Sequence, residues 1–113
     1  MFKIVQEKNV TRTVTAFVPG DGTASVKATF RWSFVILPKD ENDRLLENQD
    51  DDNDEWLTKV NRGFQDVVGD DNQPFESNDE NFKVLINIPY ARVAMIKAYF
   101  EAAVGGDGKR KNS

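Results

Sequence analysis

Asp50, Asp51, Asp52, Asp54 and Glu55 fall within six consecutive positions, the densest set of possible metal ligands in this chain. Carboxylates this close suggest calcium. An EF-hand loop needs alternating acids, a Gly at its sixth position for the sharp turn and a bidentate Glu at its twelfth. Counted from Asp50, Asp52 and Asp54 fit, but Glu55 replaces the Gly and Asn61 replaces the Glu. The run therefore reads as a solvated loop, and no metal is expected. Glycosidase-type chemistry needs only two carboxylates, but it also needs an apolar cleft that separates their pKa values. Acids gathered in a loop stay hydrated and ionised. Gly20-Asp21-Gly22 lacks the pattern of a phosphate loop and precedes no helix whose dipole could meet a phosphate.

The 113 residues include no His and no Cys. This excludes an imidazole base, a Ser-His-Asp triad, a thiolate nucleophile, disulfides and thiol- or His-ligated zinc. Neither catalysis nor a cofactor is expected. Lys109-Arg110-Lys111 has no aromatic neighbours to stack on bases, so no nucleic-acid partner is expected either. Unbroken apolar runs reach four residues, as in Phe34–Leu37, too few to span a bilayer. Met1–Val5 is too short for the apolar region of a secretory signal, which leaves a cytoplasm as the expected location.

Charge is segregated. Residues 40–80 carry 15 acidic and 3 basic side chains, whereas residues 1–39 and 81–113 each carry 6 basic and 2 acidic ones. An acidic middle between basic flanks favours contact of opposite patches, within one chain or between copies. Self-association is expected on this ground, or through pairing at a sheet edge.

Period-two alternation predicts an antiparallel hairpin between Val10 and Leu37. Val10, Val14, Ala16 and Val18 share one face of its first strand; Thr11, Thr13, Thr15 and Phe17 share the other. In the second strand Val26, Ala28, Phe30, Trp32, Phe34 and Ile36 oppose Lys27, Thr29, Arg31 and Ser33. Pro19-Gly20-Asp21-Gly22 is the turn between them. Phe2–Val5 is a candidate third, edge strand.

A short helix fits Asp40–Glu47, and Asp50–Asp54 reads as a loop. Trp56, Leu57, Val60, Phe64, Val67 and Val68 form a helical stripe, started by Asp52 with Glu55 and stopped at Gly69. Gly63 within that stripe implies a bend or a close contact. Ser77-Asn78-Asp79-Glu80 predicts a capping box for a helix carrying Phe82, Leu85 and Ile86. That helix must end near Ile88, because the residue before Pro89 is pushed out of the α region. Pro89 opens a last helix, with Val93, Ile96, Phe100, Ala103 and Val104 as its buried stripe and Met95 and Tyr99 flanking it. Trp32 and Trp56 both read as core. The expected fold is α+β: an N-terminal antiparallel β-hairpin, of three strands if the candidate edge strand pairs, packed against two to four C-terminal helices. Residues 1–106 form one domain, and 107–113 a disordered basic tail.

Several of these features occur in an order that resembles the tail assembly chaperones of bacteriophages with long, non-contractile tails. Phe30-Arg31-Trp32-Ser33-Phe34 leads into the acidic segment. Trp56-Leu57-x-x-Val60 runs into Gly63-Phe64-x-Asp66-Val67 and Gly69. Pro74-Phe75, the Ser77–Glu80 start, Phe82-x-x-Leu85, Ile88-Pro89-Tyr90, Met95 and Ala98-Tyr99-Phe100 complete the pattern over roughly residues 28–104. One departure is Phe64, where similar sequences tend to carry Trp. The resemblance implies a self-associating, non-catalytic helper that coats the tape measure protein, with the tail tube protein as a second candidate contact, and is absent from the finished virion. A holdase needs adaptable apolar surface, and Tyr90, Met95 and Tyr99 are the candidate protein-binding residues. Two other readings are a structural tail or head–tail connector component, and an acidic inhibitor that mimics DNA with Asp50–Glu55 and Asp70-Asp71 as false phosphates.

Overall fold

In the computed structural model, which describes residues 1–22, 24–46 and 54–105 apart from the side chains of 45 and 46, the alternating segment folds as expected. Strands β1 (Lys8–Pro19) and β2 (Ser25–Ile36) pair antiparallel, with Val10 opposite Phe34, Arg12 opposite Trp32 and Val14 opposite Phe30. The turn closes through Gly20 N–H donating to the Ala24 carbonyl at 3.0 Å. A Cβ on Gly20 would sit 2.8 Å from that same oxygen, so the turn excludes a side chain there. Val14, Ala16, Phe30, Trp32 and Phe34 are buried on the expected face. Val26 and Ala28 are exposed, because the distal end of the hairpin extends beyond its helical cover.

The sheet has a third strand, but not the expected one. Residues 2–5 lie outside any strand, and their apolar side chains are exposed. Instead β3 (Asn61–Gln65) pairs with β2, placing Phe64 opposite Trp32 and giving the order β1-β2-β3. Arg62 is the extra residue of a bulge between the Ser33–Gly63 and Phe34–Asn61 pairs.

This strand interrupts the helix expected across residues 56–68. Helix α2 (Asp54–Val60) buries Trp56, Leu57 and Val60 and then stops. Three local features explain the break. Gly63 takes φ +127°, a conformation closed to most side chains. Asn61 Oδ1 accepts from both Trp32 Nε1 at 2.9 Å and Gly63 N–H at 3.0 Å. Phe64 N–H donates to Ser77 Oγ at 3.0 Å. Offsets of 1, 4 and 8 suited a helix, but the open edge of β2 and the buried indole N–H needed a strand. Val67 is half-buried against the core and Val68 is exposed, so the expected stripe ends before Val68.

Helix α1 (Lys39–Leu46) follows Pro38 and starts one residue before its expected start at Asp40; the expected end at Glu47 falls outside the described residues. Helix α3 (Asp79–Ile86) buries Phe82, Leu85 and Ile86 as expected. Its cap is shifted by one position: Asn78 Oδ1 accepts from Asn81 N–H at 2.7 Å, since the Ser77 hydroxyl is engaged by β3. Helix α4 (Pro89–Ala103) begins at its proline, but its buried face is rotated from the expected one. Val93 and Val104 are exposed and Phe100 is partly so, while Met95 and Tyr99 are fully buried among Ala91, Ala94, Ala98 and Ala102. The helix is apolar on most sides, so periodicity alone could not select a face. A ridge of alanines lets it lie close along β1. The Asp52 cap, the 50–53 part of the acidic run and the 107–113 tail fall outside the described residues.

The helices cover one face of the sheet: α4 on β1 and β2, α2 on β2, α3 against α2 and α4, and α1 against α2. Trp32, Phe34, Trp56, Phe82 and Tyr99 form a connected aromatic core, with Trp32–Phe34 centroids 4.5 Å apart and Trp56–Tyr99 centroids 4.7 Å apart. Asn42 supplies its polar centre. Its Oδ1 accepts from Trp56 Nε1 at 3.0 Å and from the Tyr99 hydroxyl at 2.9 Å, and that hydroxyl accepts from Leu37 N–H at 3.0 Å. Among the described residues, every buried side-chain polar atom has a partner.

Asn42→Ala orphans two donors in this core and should cost about 2–4 kcal/mol in urea unfolding, at about 1–3 kcal/mol per buried unsatisfied group. Adding Trp56→Phe removes one of those donors and should recover part of the loss, seen as a coupling above about 0.5 kcal/mol. Additive losses would mean that the network does not act as a unit.

Candidate protein-docking groove

The far end of the hairpin and the start of α4 enclose an apolar groove of about 510 Å³. Pro89 sets the entry of α4 and lines the groove with Tyr90, Val93 and Ala94; Phe17, Pro19, Thr15 and Ala16 close it from β1. Phe17 is 56% exposed and Val93 66%, so both present apolar surface to solvent rather than to the core. Lys97 is the one charged side chain in the lining. One helical turn on, Glu101 joins Thr13 and Thr15 around a neighbouring hollow of about 210 Å³.

The three residues expected to form a binding patch do not come together. Tyr90 is 38% exposed and stands in the groove wall. Met95 and Tyr99 are fully buried, and Tyr99 holds Asn42 and the Leu37 backbone. Their place in the surface is taken by Phe17, Pro19 and Val93. The sequence did carry a signal for them. Phe17 is the apolar side chain on the threonine face of β1, and α4 has more apolar residues than one buried stripe can use.

Chemically the lining offers contact area. Its polar groups are one ammonium, the Thr15 hydroxyl and the Tyr90 phenol, and Glu101 shares the neighbouring hollow with Thr15 and Lys97. Beyond the groove, Arg92 ties α4 to α2 through Asp54 at 2.5 Å and caps α3 by donating to the Ile86 carbonyl at 2.8 Å. The Lys39 pKa is raised by its hydrogen bond to Asp43 and then by that carboxylate's charge; this exposed pair sits on α1, apart from the groove. Asp70 and Asp71 belong to a tight loop closed by Gly69 N–H to the Gln73 carbonyl at 3.0 Å and Phe75 N–H to the Val67 carbonyl at 2.8 Å. Among the described residues, no cluster of three acids is placed to hold a metal ion, and no helix is long and apolar enough to cross a membrane.

Comparison with protein-family models, with curated proteins and with solved structures finds no match to this chain.

The two kinds of apolar position separate experimentally. Val93→Asp should lower the fluorescence of a bound apolar dye several-fold while changing stability by no more than about 0.5 kcal/mol, as for an exposed site. Met95→Ala should cost about 2–4 kcal/mol in unfolding and leave dye binding by the folded protein intact. The reverse pattern would place the binding surface at Met95.

Proposed function

We propose that this chain is a non-catalytic chaperone of phage tail assembly. It acts in the cytoplasm of the host, holding apolar stretches of the tape measure protein before the tube polymerises, and is not retained in the virion. The observation that carries this reading is the groove between β1 and α4. Phe17, Tyr90 and Val93 are left partly or largely exposed around this groove. Contiguous apolar surface on a small domain is costly to keep in water and marks a docking site for a polypeptide or another apolar partner. The order of sequence features over residues 28–104 supports the choice of client. The aromatic and small residues of the lining suit apolar side chains of varied shape, as a holdase requires.

Binding would keep the client soluble by mass action, since a holdase stabilises the unassembled form it binds. The groove gives affinity to short apolar stretches, and several copies along one long client would multiply it. The tail tube protein is a second candidate contact, as the component that must replace the chaperone on the client.

Co-expression with a tape measure protein from the same genome tests this. The wild-type chain should keep the client in the soluble fraction and co-purify with it. Val93→Asp should reduce recovery at least tenfold, and mass spectrometry of purified particles should not find the chain. Its presence at stoichiometric amounts in mature particles would instead establish a structural tail component.

A further inference from the structure

β1 is the outer strand of the sheet, and its free edge runs into the groove. Gly20 N–H bonds to the Ala24 carbonyl across the turn, so the even-numbered residues of β1 are the ones that exchange hydrogen bonds with β2. The odd-numbered residues Thr11, Thr13, Thr15 and Phe17 therefore turn their N–H and C=O groups away from β2. β3 shows the same alternation on the other side of the sheet: Phe64, opposite Trp32, sends its N–H outward to Ser77 Oγ. Among the described residues, no backbone group meets Thr13, Thr15 or Phe17 from the free side. The same three residues line the hollow that α4 closes with Ala94, Lys97 and Glu101, and the groove shares Thr15, Phe17, Ala94 and Lys97 with it. Groove and hollow thus adjoin as one channel, with a row of backbone donors and acceptors along one wall and a helix along the other.

We infer that the channel takes an extended segment of a different polypeptide as an added strand on β1, with apolar residues at alternate positions and acidic or hydroxyl residues between them. Backbone groups that recur every second residue, roughly 7 Å apart, are complementary to another extended backbone, whereas a helix has already used its own groups internally. Residues of the added strand that bond to Thr13, Thr15 and Phe17 carry their side chains on the open, threonine face of the sheet. The residues between them turn their side chains toward α4, where Tyr90 and Val93 supply apolar surface. Charge selects the polar positions. Lys27 lies opposite Phe17 and Arg31 opposite Thr13, both exposed, and Lys97 lines the channel. None of these three cations forms an ion pair among the described residues, and Glu101 is the one acid in the lining. The excess of positive charge favours carboxylates on the segment. This rests on the groove being a docking surface and adds the conformation and residue pattern of what it holds.

Fluorescence anisotropy of a labelled peptide, Glu-Val-Thr-Val-Thr-Val-Glu, with the full chain tests the inference. The peptide should bind saturably. Its threonine N–H groups face β1 and its valine N–H groups do not. Methylating both threonine nitrogens should therefore weaken binding about tenfold, and methylating two valine nitrogens by no more than about twofold. Lys in place of both Glu residues should weaken it several-fold, with a gap that narrows as salt rises. Thr15→Pro removes one outward donor without touching a bond to β2, and should also weaken binding about tenfold. Far-UV circular dichroism shows whether that variant is folded, and the methylated peptides decide the matter if it is not. No binding, equal or reversed effects of the two methylations, or a preference for the Lys peptide would each overturn the inference. If Val93→Asp still loses the client in those cases, the docking reading survives and only the strand addition falls; if Val93→Asp leaves client recovery unchanged, both fall.

Discussion

Two buried tryptophans, each with an N–H that must find an acceptor, constrain this fold more than any other feature. An indole in a core brings a large apolar payload and one polar atom whose isolation is costly. Trp32 Nε1 is met by Asn61 Oδ1 and Trp56 Nε1 by Asn42 Oδ1, at 2.9 and 3.0 Å. Each asparagine then does more. Asn61 also holds Gly63 N–H and so shapes the bulge through which β3 joins the sheet. Asn42 also receives the Tyr99 hydroxyl, which brings α4 and α1 to the end of β2. Sheet and helices are thus registered on one another by a few directed bonds inside an apolar core.

That registration decides which side of α4 faces water. Tyr99 must point inward to reach Asn42 and Leu37, and Met95, one turn earlier, points inward with it. The alanine ridge then lies against the sheet, and Val93 is turned outward. The hairpin runs past the end of its helical cover, leaving Phe17 and Pro19 beside Tyr90 and Val93. The groove therefore follows from the same bonds that close the core. Both walls of that apolar surface belong to regular elements, a strand and a helix.

Legibility in the sequence tracked how local the deciding interaction was. The hairpin was readable because alternation and the Pro-Gly turn act over a few residues, and Pro89 marked the junction between α3 and α4 for the same reason. The stripe from Trp56 to Val68 was misleading. Trp56, Leu57, Val60 and Phe64 are all buried, as a helix would have them, but the last is buried from a strand. Gly63 signals a bend or a close contact, and it sits at the bulge with φ +127°. Ser77 had the right type for a cap, yet its hydroxyl was taken by a backbone N–H thirteen residues away. Of the three candidate binding residues Tyr90 is partly exposed, whereas Met95 and Tyr99 face the core.

Sequence alone was enough for the α+β class, the paired strands, the starts of α1, α3 and α4 to within a residue or two, and the lack of any imidazole or thiol. These depend on residue type and near-neighbour spacing, which folding does not change. Tertiary structure alone decided that Asn61–Gln65 is a strand, which face of α4 is buried, and where the groove lies. Those outcomes turn on hydrogen bonds between residues 29 to 62 positions apart, whose partners no local pattern reveals.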